Sequence, residues 1–235
     1  MQRGDIIKYN QVVSCEEQNL QKGMNFNVGH KNYSVVLMSV RPGAPYNDRF
    51  EDNGSTIIYE GHDMPNYRHL TMDPKMIDQP RSIGGVVTEN GKFFSAAAAY
   101  QNGEANYRLV RVYEKIKSGI WAYNGFFKLA DAWEEIDKAN DRKVCKFKLE
   151  MIDDEGYEAS SERDNIEVEH NRLIPTEVKV KVWARDKGCC VICGAKENLH
   201  FDHDIPYSKG GSSKTVENIR ILCAKCNLRK SDKIV

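Results

Sequence analysis

Two Cys-x-x-Cys pairs near the C-terminus, Cys190/Cys193 and Cys223/Cys226, are the residues best suited to hold a metal ion. Thiolates two residues apart reach one tetrahedral Zn²⁺, and a second pair completes its coordination. A site of four thiolates has no open position, so we expect a structural Zn²⁺ that stabilises a segment too small for its own core. Cys189 is an alternative ligand, but only Cys190 has the two-residue spacing to Cys193.

Disulfide bonds are the alternative use of these cysteines. The chain opens with no apolar signal segment, and its seven cysteines are an odd number. Both features favour reduced thiols in an intracellular protein of the bacterial cytoplasmic type. Cys15 and Cys145 are expected to be small apolar residues of a core. No apolar run is long enough for a membrane span, so no membrane partner is expected.

A polar cluster lies between the two cysteine pairs and just beyond them. It consists of His200-Phe201-Asp202-His203, Gly210-Gly211, Glu217-Asn218-Ile219 and Asn227. Phosphodiester hydrolysis needs a base to activate water, a cation to neutralise charge on the phosphate, and a group that orients the base. The order and types of these residues resemble the zinc-containing form of the HNH nuclease family, which has a ββα-metal fold.

The resemblance implies a role for each residue of the cluster. His203 would be the general base, and Asn218 would lie opposite it and hold its ring. Asp202 and Asn227 would bind the catalytic cation, and oxygen ligands of this kind suit Mg²⁺ or Mn²⁺.

Three further residues fit the same family less closely. Arg229 and Lys230 are candidate phosphate contacts, and His200 corresponds to a position that is acidic and near the metal in some relatives. The alternative for the whole segment is a zinc knuckle that binds nucleic acid, with Asp202-His203 in a surface turn. Ahead of the cysteines, the pattern from Pro175 to Asp186 predicts a helix with Pro and Glu in its first turn.

The net charge is zero but unevenly distributed. From Thr176 onward the chain has 12 basic and 7 acidic residues, whereas residues 151–175 include 2 basic and 8 acidic residues. The acidic stretch predicts a solvated linker over 151–174, between a first domain at 1–150 and a nuclease domain at 175–235. A basic C-terminal module in a neutral chain is typical of proteins that bind DNA without holding every duplex tightly.

The first domain is predicted to be rich in β-structure. Runs of β-branched and aromatic residues bounded by Gly, Pro, Asn or Asp predict strands at 33–40, 55–59, 108–113, 121–129 and 144–149, and one helix follows Thr88. The run Leu109–Tyr113, followed by Gly119–Leu129 with Tyr123-Asn124-Gly125, resembles the SRA (YDG) domain family over about 28–150. Asn124 stands where that family usually has Asp, and either residue suits a tight turn.

SRA domains flip a modified cytosine into a pocket, which needs aromatic walls and a reader for the base edge. The resemblance implies Tyr46 and Tyr59 as walls and Asp48 as acceptor from the cytosine amino group. The spacing from Tyr46 to Gly54 is longer by one residue than in well-known relatives, so Asp52 is an alternative reader. Ordinary strand packing is the alternative for both tyrosines.

Together these features predict an α+β protein, with an N-terminal β-rich SRA/PUA-like barrel domain and a C-terminal ββα-metal (HNH) domain containing a Cys₄ zinc site. The expected function is that of the McrA-type modification-dependent restriction endonucleases, acting on double-stranded DNA with 5-methyl- or 5-hydroxymethylcytosine. A homodimer is expected, because one HNH centre cuts one strand. The alternatives are a DNA-binding module without catalysis and a nuclease that reads another base modification.

Overall fold

The computed structural model describes residues 1–20, 22–67, 71–152, 173–205 and 210–230. The strands are β1 (Asp5–Lys8), β2 (Met24–Asn25), β3 (Ser34–Met38), β4 (Arg49–Glu51), β5 (Thr56–Glu60), β6 (Ser82–Ile83), β7 (Val86–Val87), β8 (Arg108–Lys117), β9 (Ile120–Asp137), β10 (Arg142–Met151), β11 (Leu199–His203) and β12 (Ile219–Cys223). The helices are α1 (Tyr9–Glu16), α2 (Glu89–Gln101), α3 (Thr176–Arg185) and α4 (Ala224–Lys230). The acidic segment predicted as a linker falls, over 153–172, outside the described residues.

The long strand β9 organises the N-terminal β-rich domain. It pairs antiparallel with β1, β8 and β10. Beyond β10 the sheet continues through β5 to β4, and β3 joins β8 in the parallel sense. The predicted strands and the helix after Thr88 are therefore confirmed.

Alternating apolar residues of these strands form the core of the domain, because successive side chains of a strand point to opposite faces. Val36, Phe127 and Phe147 are fully buried there. Helix α2 covers the cluster with Phe93, whose ring meets that of Phe147 edge-on at a centroid distance of 5.7 Å. Aromatic pairs of this geometry stabilise a core beyond the area they bury.

The C-terminal segment forms a β-hairpin followed by a helix, as the ββα pattern predicts. Strands β11 and β12 pair antiparallel from Leu199↔Cys223 to His203↔Ile219, and α4 follows β12 directly. The predicted helix before the cysteines is confirmed as α3, which buries Val178 and Val182. These two residues share one apolar cluster with Phe201 of β11 and Ile6 of β1.

The turn expected at Tyr123-Asn124-Gly125 is wrong, because these residues lie inside β9. Val112 pairs with Gly125 and Tyr113 with Tyr123, which leaves Asn124 as the extra residue of a β-bulge. Gly125 has a φ of 93°, a conformation open to glycine without strain. The bulge turns the Asn124 side chain into the interior, where it is fully buried.

The expectation for the two remaining cysteines holds for one of them. Cys145 is buried in the main core, whereas Cys15 is exposed. Helix α1 turns the face with Val12 and Glu16, four residues apart, to the interior, and Cys15 lies beside that face. No helix in the described part of the chain is long and apolar enough to cross a membrane.

Candidate DNA-cleavage and base-recognition sites

The four cysteines of the two Cys-x-x-Cys pairs come together at one point. The Sγ atoms of Cys190, Cys193, Cys223 and Cys226 all lie within 4.8 Å of one another. The Sγ atoms of Cys193 and Cys223 are 3.6 Å apart, close to the roughly 3.8 Å that tetrahedral Zn–S bonds would give. Cys189 lies outside this cluster and its thiol contacts the Lys187 carbonyl oxygen. The cluster therefore fits a structural Zn²⁺.

His203 ends β11 and is partly buried. Its Nε2 lies 2.8 Å from the Ser213 hydroxyl oxygen, and among the described residues no hydrogen bond engages Nδ1. Burial lowers the pKa of His203, nearby Lys230 and His200 lower it further, and Asp202 opposes them. A lowered pKa keeps the ring neutral at pH 7, the state in which it can accept a proton.

Asp202 precedes His203 on the strand and is paired with a lysine of α4. The Lys230 Nζ lies 2.5 Å from Asp202 Oδ2 and also donates a hydrogen bond to the His203 carbonyl oxygen. Lys230 is buried, so it does not lie on the surface as a phosphate contact would, whereas Arg229 is exposed. The Lys230 ammonium therefore occupies the side of Asp202 that also faces the His203 carbonyl oxygen.

The ring of His203 is oriented by Ser213, and Asn218 makes a different contact. The Asn218 amide nitrogen donates to the carbonyl oxygens of Ile205 and Ser212, and its oxygen accepts from the Ile205 backbone N–H. Asn218 thus closes the loop that carries Ser213. The Asn218 side chain bonds to the loop backbone, and its expected role in holding the His203 ring stays a prediction.

Sequence reasoning missed Ser213, although Gly210-Gly211 immediately upstream is a signal. A Cβ at position 211 would lie 1.8 Å from the Ile205 carbonyl oxygen, so only glycine fits there. That close approach brings Ser213, which is buried, to the ring of His203. Asn227 lies partly buried on α4.

His200 belongs to the junction between the domains. Its Nδ1 lies 3.1 Å from a carboxylate oxygen of Asp5, the first residue of β1. The ring also packs against Gly4, where an added Cβ would come within 2.9 Å of it. This contact ties β11 to β1.

The residues predicted for base recognition cluster near the ends of β3, β4 and β5. Asp48 accepts hydrogen bonds from the Ser39 and Glu60 backbone N–H groups, each at 3.0 Å. Burial raises the pKa of Asp48 to about 7, against the opposing effect of these two bonds. Burial raises the pKa of Tyr59 well above its usual value, and the nearby Asp48 and Tyr46 raise it further.

The two tyrosines differ in exposure. Tyr59 is only 1% exposed and packs in the main core, whereas Tyr46 is half-buried. The Lys75 Nζ lies 4.1 Å from the centroid of the Tyr46 ring, which is an arrangement for cation–π attraction. The alternative reader Asp52 is exposed in a turn with a φ of 50°.

A buried polar network that the sequence did not reveal supports this region. Glu60 lies 2.8 Å from the Lys146 Nζ and accepts from the Asn47 backbone N–H at 3.1 Å. Gln79 bonds the Gly61 carbonyl oxygen and the Cys145 backbone N–H. Since each partner of the network is itself bonded, the chain from Tyr46 to Asp48 is held in one conformation.

A groove of about 1370 Å³ lies between the part of the β-rich domain that holds Asp48 and the loop of the C-terminal hairpin. Asp48, Phe50 and Asn53 line it from the β-rich domain, and Ser213 and Lys214 line it from the C-terminal hairpin loop. The Lys214 ammonium crosses the groove to the Asn53 side-chain oxygen at 2.9 Å. Asp48, predicted to read the base, and Ser213, the partner of His203, therefore line the same groove.

Comparison with known proteins defines the class of protein. Residues 4–155 match the model of the SAD/SRA domain family, and residues 190–233 match that of the HNH endonuclease family. The first match covers more than half of the chain, and the chain belongs to the SAD/SRA domain family. It also carries an HNH endonuclease domain at its C-terminus.

Several solved structures are similar to this chain. The SRA domain of SUVH5 in complex with hemimethylated CG DNA is 23% identical, with 65% of this chain and 89% of that chain covered and a TM-score of 0.45. The same domain bound to fully hydroxymethylated CG DNA is 21% identical over 62% and 85% of the two chains, with a TM-score of 0.43. The modification-dependent restriction endonuclease TagI is 20% identical over 97% and 76%, with a TM-score of 0.45. No curated protein matched the chain.

Proposed function

We propose that this protein is a modification-dependent DNA endonuclease, which reads a 5-methyl- or 5-hydroxymethylcytosine with its SRA domain and hydrolyses phosphodiester bonds with its HNH domain. The observation that carries the proposal is the shared groove, lined by Asp48 of the first domain and by Ser213, the hydrogen-bond partner of His203, in the second. We propose that one double-stranded DNA molecule lies over the mouth of this groove and contacts both domains.

His203 is the general base of the proposed reaction. In the tautomer with the proton on Nε2, the ring donates to the Ser213 hydroxyl oxygen, and Nδ1 accepts a proton from the attacking water. The neutral state favoured by burial leaves that nitrogen able to do so. Asp202, with Asn227 from α4, would hold Mg²⁺ or Mn²⁺, which supplies charge neutralisation at the phosphate.

Base recognition would use the three pocket residues. Each Asp48 oxygen accepts one backbone N–H and retains a lone pair for the cytosine amino group. Lys75 covers one face of Tyr46, so a flipped base would stack on the other face. Tyr59 forms the inner wall from the core. Asp52 remains the second candidate for the reader.

The assembly follows from the chemistry. A single HNH centre cuts a single strand, so cleavage of both strands requires two copies of the protein or two successive visits. We propose a homodimer on double-stranded DNA. Zn²⁺ in the cysteine cluster keeps the hairpin folded and takes no part in the reaction.

The test is cleavage of matched plasmids with unmodified, 5-methylated or 5-hydroxymethylated cytosine, with Mg²⁺ and then Mn²⁺. We expect cutting of modified plasmids alone, loss of at least about 10²-fold in rate for His203→Ala, and unchanged DNA binding for that variant. Asp48→Ala and Tyr46→Ala should lose the preference for modified DNA. Equal cutting of all plasmids would refute recognition of a modified base by the SRA domain, but it would still support the nuclease activity.

A binding protein without catalysis is the second candidate, and the Lys230 contact favours it, because a lysine already neutralises Asp202. In that case the wild type would bind modified DNA and cut none with either cation. Cutting that depends on His203 excludes this candidate.

A further inference from the structure

The short strand β1 lies between the two domains and belongs to the sheet of both. On one side it pairs with β9, from Ile6↔Ala122 to Lys8↔Ile120. On the other side it pairs with β11, the strand that ends in Asp202-His203, through Asp5↔His200 and Ile6↔Leu199. Backbone hydrogen bonds therefore connect the longest strand of the SRA domain with the catalytic hairpin.

A buried polar cluster makes a second connection, through helix α3. The Lys179 Nζ lies 2.6 Å from Glu114 Oε2 on β8 and 2.8 Å from Asn124 Oδ1 on β9. The Asn124 amide nitrogen donates to the same Glu114 oxygen at 2.9 Å, and the Thr176 hydroxyl donates to the other oxygen. Glu114 and Asn124 are fully buried, and Lys179 is 1% exposed. We call Glu114, Asn124 and Lys179 the interdomain lock.

The chemistry of the lock favours one geometry over many. A buried ion pair costs desolvation energy and is weak as a source of stability, but removing one partner leaves an uncompensated buried charge. An apolar contact tolerates sliding, whereas three bonded polar groups satisfy one another only in one arrangement.

Asparagine at position 124 is the residue this arrangement needs. Its oxygen accepts from Lys179 while its amide nitrogen donates to Glu114. An aspartate there would put two carboxylates against one ammonium and would have no N–H to donate. The β-bulge in β9 directs this side chain towards α3, which explains why the position is not a turn.

We propose that the interdomain lock and β1 hold the SRA and HNH domains as one rigid unit, so that DNA is cut at a fixed distance from the modified base. The fixed cutting distance rests on the proposed function, whereas the rigid unit does not. Modules joined only by a flexible tether would sample a range of separations and cut at scattered positions. Glu114, Asn124 and Lys179 are then positioning residues that touch neither the base nor the phosphate.

The first test measures rigidity and needs no activity. Amide hydrogen exchange is compared in wild type, Asn124→Asp and Lys187→Met, which changes an exposed lysine just beyond α3. Asn124→Asp should speed exchange in α3 and β1 at least about tenfold while β10 stays protected. Lys187→Met should show the wild-type pattern. Unchanged exchange in Asn124→Asp overturns the lock.

The second test maps cut positions on an end-labelled duplex with one modified cytosine. We expect one offset per strand for wild type and a spread of offsets for Asn124→Asp. Lys187→Met, which changes an exposed lysine just beyond α3 and outside the groove, is the matched control and should keep the wild-type offset. A wild type that cuts at many offsets, or an offset unchanged when exchange in α3 has risen, overturns the fixed distance.

The two tests distinguish a failure of the proposed function from a failure of the interdomain lock. A wild type that cuts no DNA contradicts the proposed function and the fixed distance, while hydrogen exchange still decides whether the lock holds the domains together. Should Asn124→Asp fail to fold, Lys179→Met with Lys187→Met as control replaces it, since methionine keeps the length of the side chain without the charge. Lys179→Met should then show the faster exchange of α3 and the spread of offsets.

Discussion

The Lys230 ammonium lies 2.5 Å from a carboxylate oxygen of Asp202, the residue expected to bind the catalytic cation. A lysine in this place ties α4 to β11 across the hairpin. If Asp202 binds a divalent cation as proposed, Lys230 would compete with that cation for the same oxygen.

Lys230→Met is expected to tighten Mn²⁺ binding, because it removes a positive charge from the ligand carboxylate. We expect an effect of about tenfold, or about 1.4 kcal/mol. The measurement is an electron paramagnetic resonance titration of free Mn²⁺. Lys225→Met changes an exposed lysine of the same helix and should leave the affinity unchanged. Equal or weaker binding in Lys230→Met would show that Lys230 does not compete with the metal.

Ser213→Ala is expected to slow DNA cleavage by about tenfold, since the His203 ring loses the hydrogen bond that fixes its orientation. Stability should change little, because the loop is held by Asn218. The rate is measured under single-turnover conditions and compared with Ser212→Ala, whose hydroxyl accepts from the Lys214 backbone instead. Similar slowing in both variants would assign the effect to the loop and not to the ring.

Asp48 is expected to make folding stability fall as pH rises from about 4 to about 7. Its pKa is about 7 in the folded protein and 3.8 ordinarily, so folding favours the protonated form. Its contribution is fully present below pH 4 and is lost as the pH rises through 7; we expect roughly 2–4 kcal/mol.

Chemical denaturation of wild type and Asp48→Asn at pH 5 and pH 8 measures this contribution. The amide introduced by Asp48→Asn stays neutral at both pH values, so the wild type should lose stability relative to the variant between them. A constant difference between the two proteins would mean that Asp48 stays ionised in the folded state.

Cys193→Ser is expected to lose Zn²⁺ and lower the melting temperature of the C-terminal hairpin, because a closed zinc site contributes folding energy directly. Zinc content is measured by a colorimetric assay after denaturation. Cys189→Ser is the matched control, since its thiol lies outside the cluster, and should keep both zinc and stability. Loss of zinc in Cys189→Ser would contradict the ligand set.

Local patterns in the sequence were enough to predict the cysteine cluster, several strands and helices, and the two family regions. The spacing of the cysteines predicts their convergence because two residues between thiolates leave little freedom, and the structure confirms the convergence. The apolar periodicity of β8, β9, β10 and α3 likewise predicts elements that are present. Family resemblance located the SRA and HNH regions, which the family models confirm.

Contacts between residues far apart in the chain were not predictable in the same way. Ser213 reaches His203 through a loop whose path depends on Gly211 and Asn218. The bulge at Asn124 depends on the register between β8 and β9. Its partner Lys179 is 55 residues away and on another element.

The sequence by itself determined the two families, the two cysteine pairs and the strand and helix pattern, since residue types, spacing and motif order carry each of them. Only the tertiary structure decided that β1 joins both domains, that Lys230 pairs with Asp202, and that Glu114, Asn124 and Lys179 form one buried cluster. These relationships depend on which elements pack together, and packing is a property of the whole chain.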